Sequence, residues 1–156
     1  MGLEFAVEGF DVAYKDAGPL LQAHYEEIAQ ARDIIKLDPD LNHYRAQERA
    51  KKLEVHTARF DDELVGYSVW LIGPHLHYKD SLTAKSDLLF IDKRYRAGML
   101  GVKFIKWTAD KIRERGVQRI LMNTKKSLDF GLILERYGFV PLETVYSLVV
   151  RDNDGC

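Results

Sequence analysis

The residues with the clearest chemical potential lie between positions 87 and 115. The apolar run Leu88-Leu89-Phe90-Ile91 leads into a basic, glycine-containing turn at residues 94–101, and an amphipathic helix pattern follows at once. A strand that runs through such a turn into a helix presents free backbone N–H groups and the positive end of the helix dipole at one spot. The pattern predicts an anion site, and the predicted ligand carries phosphate.

The spacing of the glycines narrows the choice of phosphate ligand. The chain has no Gly-x-x-x-x-Gly-Lys-Ser/Thr motif for a nucleoside triphosphate and no Gly-x-Gly-x-x-Gly motif for a dinucleotide. Arg96 and Gly101 instead have the spacing of Arg-x-x-Gly-x-Gly, with Ile91 shortly before the arginine. At these residues the chain resembles the GNAT superfamily of acetyl-CoA-dependent N-acetyltransferases, which bind the pyrophosphate of coenzyme A in a strand, loop and helix of this type.

The resemblance implies acetyl-CoA as the cofactor and assigns a set of contacts to it. The implied contacts are Leu89, Phe90 and Ile91 on the strand, Arg96, Ala97, Gly98, Met99, Leu100 and Gly101 in the turn, Asn123 on the next strand and Ser127 after it. The first glycine of the family pattern falls on Met99, whereas this chain has Gly98 one position earlier. Glycine is favoured there because a side chain would hold the backbone away from the phosphates or would force a costly positive φ.

Asp87 is the first candidate for a catalytic base. It precedes Leu89 on the same strand, where many family members carry a glutamate that removes a proton from the amine directly or through water. The alternative is a carboxylate that only bonds to a neighbouring turn. His75 and His77 are further candidates, because an imidazole with a pKa near 6.5 suits neutral pH. Two histidines without a third ligand do not predict a metal site.

The proton for the departing thiolate has no evident donor in the sequence. Many family members use a tyrosine four residues before a helix-ending Gly-Phe, and here Gly138-Phe139 places Leu134 at that position. Tyr78, Ser127 or water could supply the proton instead. Tyr137 is interpreted as a packing residue.

The composition limits the classes of partner. The chain has 156 residues, of which 46% are hydrophobic, so it can bury one sizeable core, and we expect a single domain over residues 1–156. With 23 basic and 24 acidic residues the formal net charge is −1, which predicts neither nucleic acid nor an anionic membrane as partner. A lone cysteine, Cys156, and the lack of an apolar targeting or spanning segment favour a cytoplasmic protein.

The elements that must position these residues follow from hydrophobic periodicity and turn residues. We predict a strand at 5–10, a helix from near Pro19 to residue 37, a helix at 41–53, a hairpin of strands at 54–60 and 64–72, and a loop at 73–78. A strand at 82–91, a helix at 98–115, a strand at 117–123, a helix at 128–137 and a final strand at 140–150 complete the chain. This β-α-α-β-β-β-α-β-α-β order predicts an α+β fold of the GNAT kind, with a mostly antiparallel central sheet and helices on both faces.

Three functional hypotheses follow. The first is an N-acetyltransferase that moves the acetyl group of acetyl-CoA to a primary amine of a small molecule or protein. The second is a GNAT-like module that binds coenzyme A or a phage or host protein without turnover, motivated by Met99 and Leu134. A nucleic-acid binder that uses the basic helix is the weakest. The His75-Leu76-His77-Tyr78 run with Asp87 also looks like a bacteriophage-associated GNAT subgroup, and the last strand or a helix face could form a homodimer.

Overall fold

The computed structural model describes residues 2–151 and contains one sheet with helices on both sides. In chain order the elements are β1 (Leu3–Glu8), α1 (Phe10–Ile28), α2 (Leu41–Arg49), β2 (Leu53–Phe60), β3 (Glu63–His75), β4 (Tyr78–Ile91), a short 3-10 turn (Lys93–Tyr95), α3 (Leu100–Arg113), β5 (Arg119–Leu121) and α4 (Gly131–Tyr137). None of the helices in this part of the chain has the length and apolar character to cross a bilayer.

The strands follow one another across the sheet in the order β1-β2-β3-β4-β5. Each pair up to β4 is antiparallel, and β5 lies parallel to β4. A parallel neighbour requires a crossover connection, and α3 provides it. The predicted α+β architecture with a mostly antiparallel sheet is confirmed.

The core has two layers because β2, β3 and β4 are covered on both faces. On one face α1 and α2 pack through Phe10, whose buried ring meets Val55 and Val69. On the other face α3 packs through Phe104 against Ile91. The middle of β3, residues 64–72, therefore reads as a nearly continuous apolar run rather than as a strict alternation.

A buried hydrogen-bond network fixes α3 against the sheet. Thr108 Oγ1 on α3 lies 3.0 Å from Ser68 Oγ and 2.8 Å from Trp70 Nε1, and it also bonds His56 Nδ1. All four residues are completely buried or nearly so. Because buried polar groups need partners, this network allows one axial position of α3 over β2 and β3.

The first two helices differ from the predicted ones. α1 begins at Phe10 and carries Pro19 in its interior, although we expected proline at its start. Its buried stripe, which includes Ala13, Ala17 and Leu20, continues across the proline, so packing outweighs the lost hydrogen bond. α1 ends at Ile28 rather than near residue 37, and α2 ends at Arg49 rather than at 53.

The predicted loop at 73–78 is wrong, because most of it belongs to the β3–β4 hairpin. β3 runs to His75 and β4 begins at Tyr78, and these two residues are partners in the ladder. Leu76 and His77 alone connect the strands. The Gly73-Pro74 pair marks an irregularity in the register and does not end the strand.

The predicted final strand at 140–150 is also wrong, because these residues do not form a strand in the structure. α4 ends at Gly138, which has a φ of 111° and so closes the helix in the left-handed region. Residues 139–151 follow without a strand assignment, and β5 is only three residues long. The far edge of β5 therefore has no partner strand among residues 2–151.

We predict that Thr108→Val lowers the free energy of unfolding by about 3 kcal/mol, because three buried polar groups lose a partner while the side-chain volume stays the same. Urea denaturation followed by tryptophan fluorescence measures the loss. The same exchange at the half-buried Thr83 is the control, and we expect it to cost less than about 0.5 kcal/mol. Equal losses in both variants would show that the network does not hold α3.

Candidate functional site

The sheet opens between β4 and β5. The two strands pair only at Thr83 with Arg119, Ala84 with Ile120 and Lys85 with Leu121. β4 continues to Ile91, still paired with β3 on its other side. Within the described chain, residues 86–91 thus present a strand edge to a gap rather than to a neighbouring strand.

The directions of the backbone groups at this edge follow from one hydrogen bond. Asp92 N donates to Val65 O of β3 at 2.8 Å, so Asp92 faces β3. Because N–H groups along a strand alternate between its two sides, Leu89 and Ile91 direct theirs into the gap. Arg96 Nε donates to Ile91 O at 2.7 Å from that same side. The N–H of Leu89 is therefore placed to donate a hydrogen bond to a ligand.

The N-terminus of α3 lies beside the same edge. Its N-cap residue is Met99, which makes no capping hydrogen bond through its side chain, so the N–H groups of the first turn are not capped from there. Leu100 is buried against Ile91, and a β-carbon added at Gly101 would lie 3.5 Å from Ile91 Cδ1. These contacts join the helix start to the end of β4.

The turn before α3 leaves room for a ligand. Ala97, Gly98 and Met99 are exposed, and a β-carbon at Gly98 would meet nothing within 4 Å. Gly98 does not have a positive φ, so the backbone does not require glycine at this position. Glycine is therefore useful at this position because it lets a ligand approach the backbone closely, and not because of its backbone conformation.

Arg96 holds the turn against the rest of the protein. Besides its bond to Ile91 O, its Nη2 forms an ion pair with Glu27 Oε2 of α1 at 2.7 Å, and its guanidinium lies 5.0 Å from the centre of the Phe90 ring. The Arg96 side chain therefore connects α1, β4 and the turn.

Asp87 lies where β4 departs from β5. In the ladder with β3, Val69 pairs with Leu88 and Trp70 with Ser86, so Asp87 is the extra residue of a bulge and its side chain is exposed. Tyr44 Oη of α2 donates a long hydrogen bond of 3.4 Å to Asp87 Oδ2. Burial and the Asp87 charge raise the pKa of Tyr44 to about 12. Tyr44 thus stays protonated and remains a donor to Asp87 at neutral pH.

A groove of about 360 Å³ lies between α2 and the strands β3, β4 and β5. We call it the α2 groove. Its lining includes His43 and Gln47 of α2, Leu71 and His75 of β3, Thr83 and Lys85 of β4, and Leu121 of β5. Lys85 is two residues from Asp87, and His43 is adjacent to Tyr44.

The structure separates the other catalytic candidates from Asp87. His75, His77 and Tyr78 cluster at the tip of the hairpin, with ring centres 5.1 to 6.2 Å apart. Tyr78 is nine residues before Asp87 on β4, a distance of roughly 30 Å along a strand. Only His75 reaches the α2 groove, at its far end. These three side chains and Asp87 therefore do not form one catalytic group.

The remaining predicted residues lie beyond β5. Asn123 follows the end of β5 instead of lying on it, and Ser127 is exposed in a turn closed by a 3.0 Å bond from Leu128 N to Lys125 O. Leu134 is buried in α4. Partial burial raises the pKa of the Tyr137 phenol, and its hydrogen bond to Asp110 of α3 acts in the same direction. Tyr137 is thus a packing residue, as interpreted from the sequence.

A second cavity has the wrong charge for a phosphate. It occupies about 660 Å³ between α1 and the ends of β3 and β4. Six carboxylates line it, against Lys93 and Arg94: Asp16, Glu26, Glu27, Asp62, Glu63 and Asp92. Asp87 and α3 do not contribute to its wall, so we place the candidate site at the opening of the sheet.

Sequence reasoning missed a buried polar pair under the site. His24 Nδ1 of α1 lies 2.7 Å from Tyr67 Oη of β3, and the imidazole stacks on Phe90 with ring centres 4.6 Å apart. Burial lowers the pKa of His24 to about 4, and Arg96 and Lys125 act in the same direction while Glu27 opposes them. The signal was present, since His24 stands with Leu20 and Leu21 on the apolar stripe of α1.

Comparison with solved structures identifies the fold. A ribosomal-protein-alanine N-acetyltransferase from Brucella melitensis biovar Abortus 2308 superposes with a TM-score of 0.67 at 19% identity, covering 96% of this chain and 98% of that one. An aminoglycoside acetyltransferase from an uncultured soil metagenomic sample gives 0.71 at 17% identity, with coverages of 96% and 95%. The chain has the GNAT fold. Neither protein-family models nor curated protein sequences give a match.

A further GNAT-fold neighbour carries the cofactor. It is a predicted acetyltransferase from Clostridium acetobutylicum, solved with acetyl-CoA, with a TM-score of 0.65, 12% identity and coverages of 94% and 96%. At these identities the structural neighbours show the fold of this chain. The resemblance to a phage-associated subgroup stays a prediction.

We predict that His24 makes the protein less stable below neutral pH. Its folded pKa of about 4 lies under the ordinary 6.5, so between these values the unfolded chain binds a proton that the folded chain does not. The contribution of His24 to the free energy of unfolding is fully present above pH 6.5 and is lost as the pH falls toward 4, by up to about 3 kcal/mol. Urea denaturation at pH 7 and pH 4.5 measures the difference.

The variant His24→Gln should reduce this pH dependence, since glutamine does not titrate and can still bond Tyr67. His43→Gln, at an exposed position of α2, is the matched control and should keep the wild-type dependence. An unchanged pH dependence in His24→Gln would contradict the assignment.

Proposed function

We propose that this protein is an acetyl-CoA-dependent N-acetyltransferase that acts on a primary amine. The observation that carries the proposal is the opening of the sheet beside the uncapped N-terminus of α3. It combines an unpaired strand edge, which suits the amide-bearing pantetheine arm, with a helix N-terminus, which suits the pyrophosphate.

The residues at the opening fit this cofactor by their chemistry. Exposed backbone at Ala97, Gly98 and Met99 and the first turn of α3 would hold the phosphates, while the Leu89 carbonyl and the Ile91 N–H would pair with the amides of the arm. Lys103 and Lys106, both exposed on α3, add positive charge close to this end of the helix. When bound, acetyl-CoA supplies an acetyl group activated as a thioester.

The chain's own groups then have separate roles. The Leu89 N–H, directed into the gap, would donate to the acetyl carbonyl oxygen and stabilise negative charge on it. Asp87 would accept a proton from the attacking amine, directly or through water, with Tyr44 orienting the carboxylate. Leu134 is buried and apolar, so water is the proton source that we propose for the departing thiolate.

The α2 groove is the proposed acceptor site. Asp87 and Tyr44 do not line it, but their near neighbours in sequence, Lys85 and His43, do, so an amine in the groove would lie near the carboxylate. Two of the neighbours are named for a ribosomal-protein alanine and for aminoglycosides, which are both amine acceptors. For this chain we propose a small-molecule or protein amine without choosing between them.

A catalytically inactive module that binds coenzyme A is the second candidate. Two observations favour it: Met99 stands where the family pattern has glycine, and Leu134 cannot donate a proton. Both candidates share the cofactor site and differ in whether Asp87 supports turnover.

The cofactor site predicts that acetyl-CoA binds, and that Gly98→Asp weakens binding by about tenfold or more, because the new carboxylate would stand against the phosphates. Isothermal titration calorimetry measures both affinities. The variant should fold normally, since the added side chain meets nothing within 4 Å and Gly98 has no positive φ. No binding by the wild type would exclude both candidate functions.

Two controls show whether the effect depends on phosphate. Gly9→Asp makes the same exchange at the N-cap of α1, where a β-carbon also has space, and should leave the affinity unchanged. S-acetylpantetheine lacks the phosphates, so Gly98→Asp should not alter its affinity. Equal weakening for both ligands would place the phosphates elsewhere.

If Asp87 is the base, Asp87→Asn should lower kcat by about 10²- to 10⁴-fold and leave the affinity for acetyl-CoA within about twofold. Release of free thiol from acetyl-CoA across a panel of amines measures turnover. Asp80→Asn, on the same strand near the hairpin tip, is the matched control and should behave as wild type. Wild-type binding without turnover on the whole panel would favour the inactive module.

A further inference from the structure

The α2 groove differs from the cavity of about 660 Å³ in the charge of its wall. Lys52 and Lys85 line the groove together with His43 and His75, and the described part of the chain contributes no carboxylate to this wall. Six carboxylates line the other cavity against two basic residues. The groove therefore presents local positive charge on a chain whose formal net charge is −1.

Neither lysine of the groove holds the fold together. Lys52 and Lys85 are exposed, and the ion pairs between residues 2 and 151 include neither of them. By contrast, Lys111 on the outer face of α3 pairs with Glu114 at 3.1 Å. The two positive charges of the groove are thus available to a ligand.

Leu71 of β3 lies between the two lysines. It pairs with Lys85 of β4 on one side and with Leu53 of β2 on the other, and Lys52 directly precedes Leu53. A 2.8 Å hydrogen bond from Ile72 N to Lys52 O fixes the backbone there. Since neighbouring strands lie about 4.8 Å apart, the two lysine backbones are roughly 10 Å apart across β3. Two lysine side chains are long enough to contact one anion between them.

The other groups of the groove suit the rest of a small polar molecule. Gln47 of α2 and Thr83 of β4 supply neutral hydrogen-bonding groups, and Leu71 and Leu121 supply apolar surface for a carbon skeleton. The volume of about 360 Å³ is within the range of small-molecule sites. The groove therefore fits a small molecule with an anionic group better than a polycation.

The distance between Lys85 and Asp87 sets the spacing of the groups in such a molecule. Lys85 lines the α2 groove, and Asp87 accepts the hydrogen bond from Tyr44 of α2, so both residues lie on the α2 side of the sheet. Two residues along a strand span roughly 7 Å. An amine at Asp87 and an anion at Lys85 would thus belong to one molecule if these groups are about 7 Å or more apart.

We propose that the acceptor is a small amine that also carries an anionic group, a phosphate or a carboxylate, and that Lys85 and Lys52 bind this group in the α2 groove. The proposal rests on the proposed function, since it assigns the acceptor of the same site. In the transfer, the amine nitrogen bonds to the acetyl carbon as the carbon–sulfur bond breaks. Asp87 accepts the amine proton, water protonates the thiolate, and the anionic group keeps its bonds.

Matched pairs of ligands test this recognition without turnover. Glucosamine 6-phosphate and glucosamine differ by a phosphate, and 6-aminohexanoate and hexylamine differ by a carboxylate. Isothermal titration calorimetry of the full chain measures the four affinities. In at least one pair the anionic member should bind about tenfold or more tightly than its neutral partner, and that pair shows which anion the groove prefers. Equal affinities within both pairs, or no binding, would overturn the proposal.

Variants of the two lysines show where the anion binds. Lys85→Gln and Lys52→Gln should each weaken binding of the anionic member by about fivefold or more, whereas Lys85→Arg keeps the charge and should keep the preference. Lys79→Gln makes the same exchange at an exposed position of β4 outside the groove wall and is the matched control. An unchanged preference in Lys85→Gln or in Lys52→Gln would contradict the assignment.

Release of free thiol from acetyl-CoA separates this inference from the proposed function. The preferred anionic amine should be acetylated, and Lys85→Gln should raise its KM by about fivefold or more. Lysine-dependent binding of the anionic amine without thiol release would leave the anion site standing and exclude acetyl transfer. Faster release with hexylamine or with the polycation kanamycin than with either anionic amine would leave acetyl transfer standing and overturn the acceptor class.

Discussion

The hydroxyl of Thr108 is the contact on which the position of the candidate site depends. It joins α3 to His56 of β2 and to Ser68 and Trp70 of β3 in a completely buried network. Apolar packing alone permits a helix to slide along a sheet, because dispersion contacts are not directional. The shared Thr108 hydroxyl does not permit such sliding, because its hydrogen bonds are directional. The N-terminus of α3 is held beside the end of β4 as a result.

The second constraint is geometric and belongs to β4. The bulge at Asp87 lies just past the last residues that pair with β5, so a change in the local twist coincides with the opening of the sheet. One short stretch of β4 thereby provides an exposed carboxylate on one side of the opening and unpaired backbone groups beyond it. In a loop the exposed carboxylate and the unpaired backbone groups would have no common cause. In this strand both follow from the same bulge.

Charge divides the surface around the opening into regions of different use. Carboxylates of α1 and the β2–β3 turn surround the cavity of about 660 Å³, while the exposed Lys103 and Lys106 of α3 lie near the uncapped N-terminus of that helix. Arg96 lies between the two regions and is paired with Glu27, which ties the basic turn to α1. A polyanionic ligand is therefore favoured only on the α3 side, although the formal net charge of the chain is −1.

The sequence predicted the site best where a single local signal was involved. The strand, basic turn and helix at residues 87–113 are present, because hydrophobic periodicity and the glycines of the turn are local properties. The loop predicted at 73–78 was wrong because cross-strand pairing continues past Gly73 and Pro74, residue types that usually end a strand. The start of α1 was wrongly predicted near Pro19 for a similar reason, since packing of the buried stripe outweighs the preference of proline for the first turn of a helix.

What the sequence by itself determined is the order of elements from β1 to α4, the near neutrality of the chain and the basic, glycine-containing turn before α3. Only the tertiary structure decided that Asp87 stands at a bulge next to Tyr44, that the hairpin histidines lie far from it, and that His24 is buried against Tyr67. It also decided that residues 140–150 remain unpaired in one chain. Periodicity shows which face of an element is apolar, whereas the partner that covers this face depends on contacts between residues distant in sequence or on another molecule.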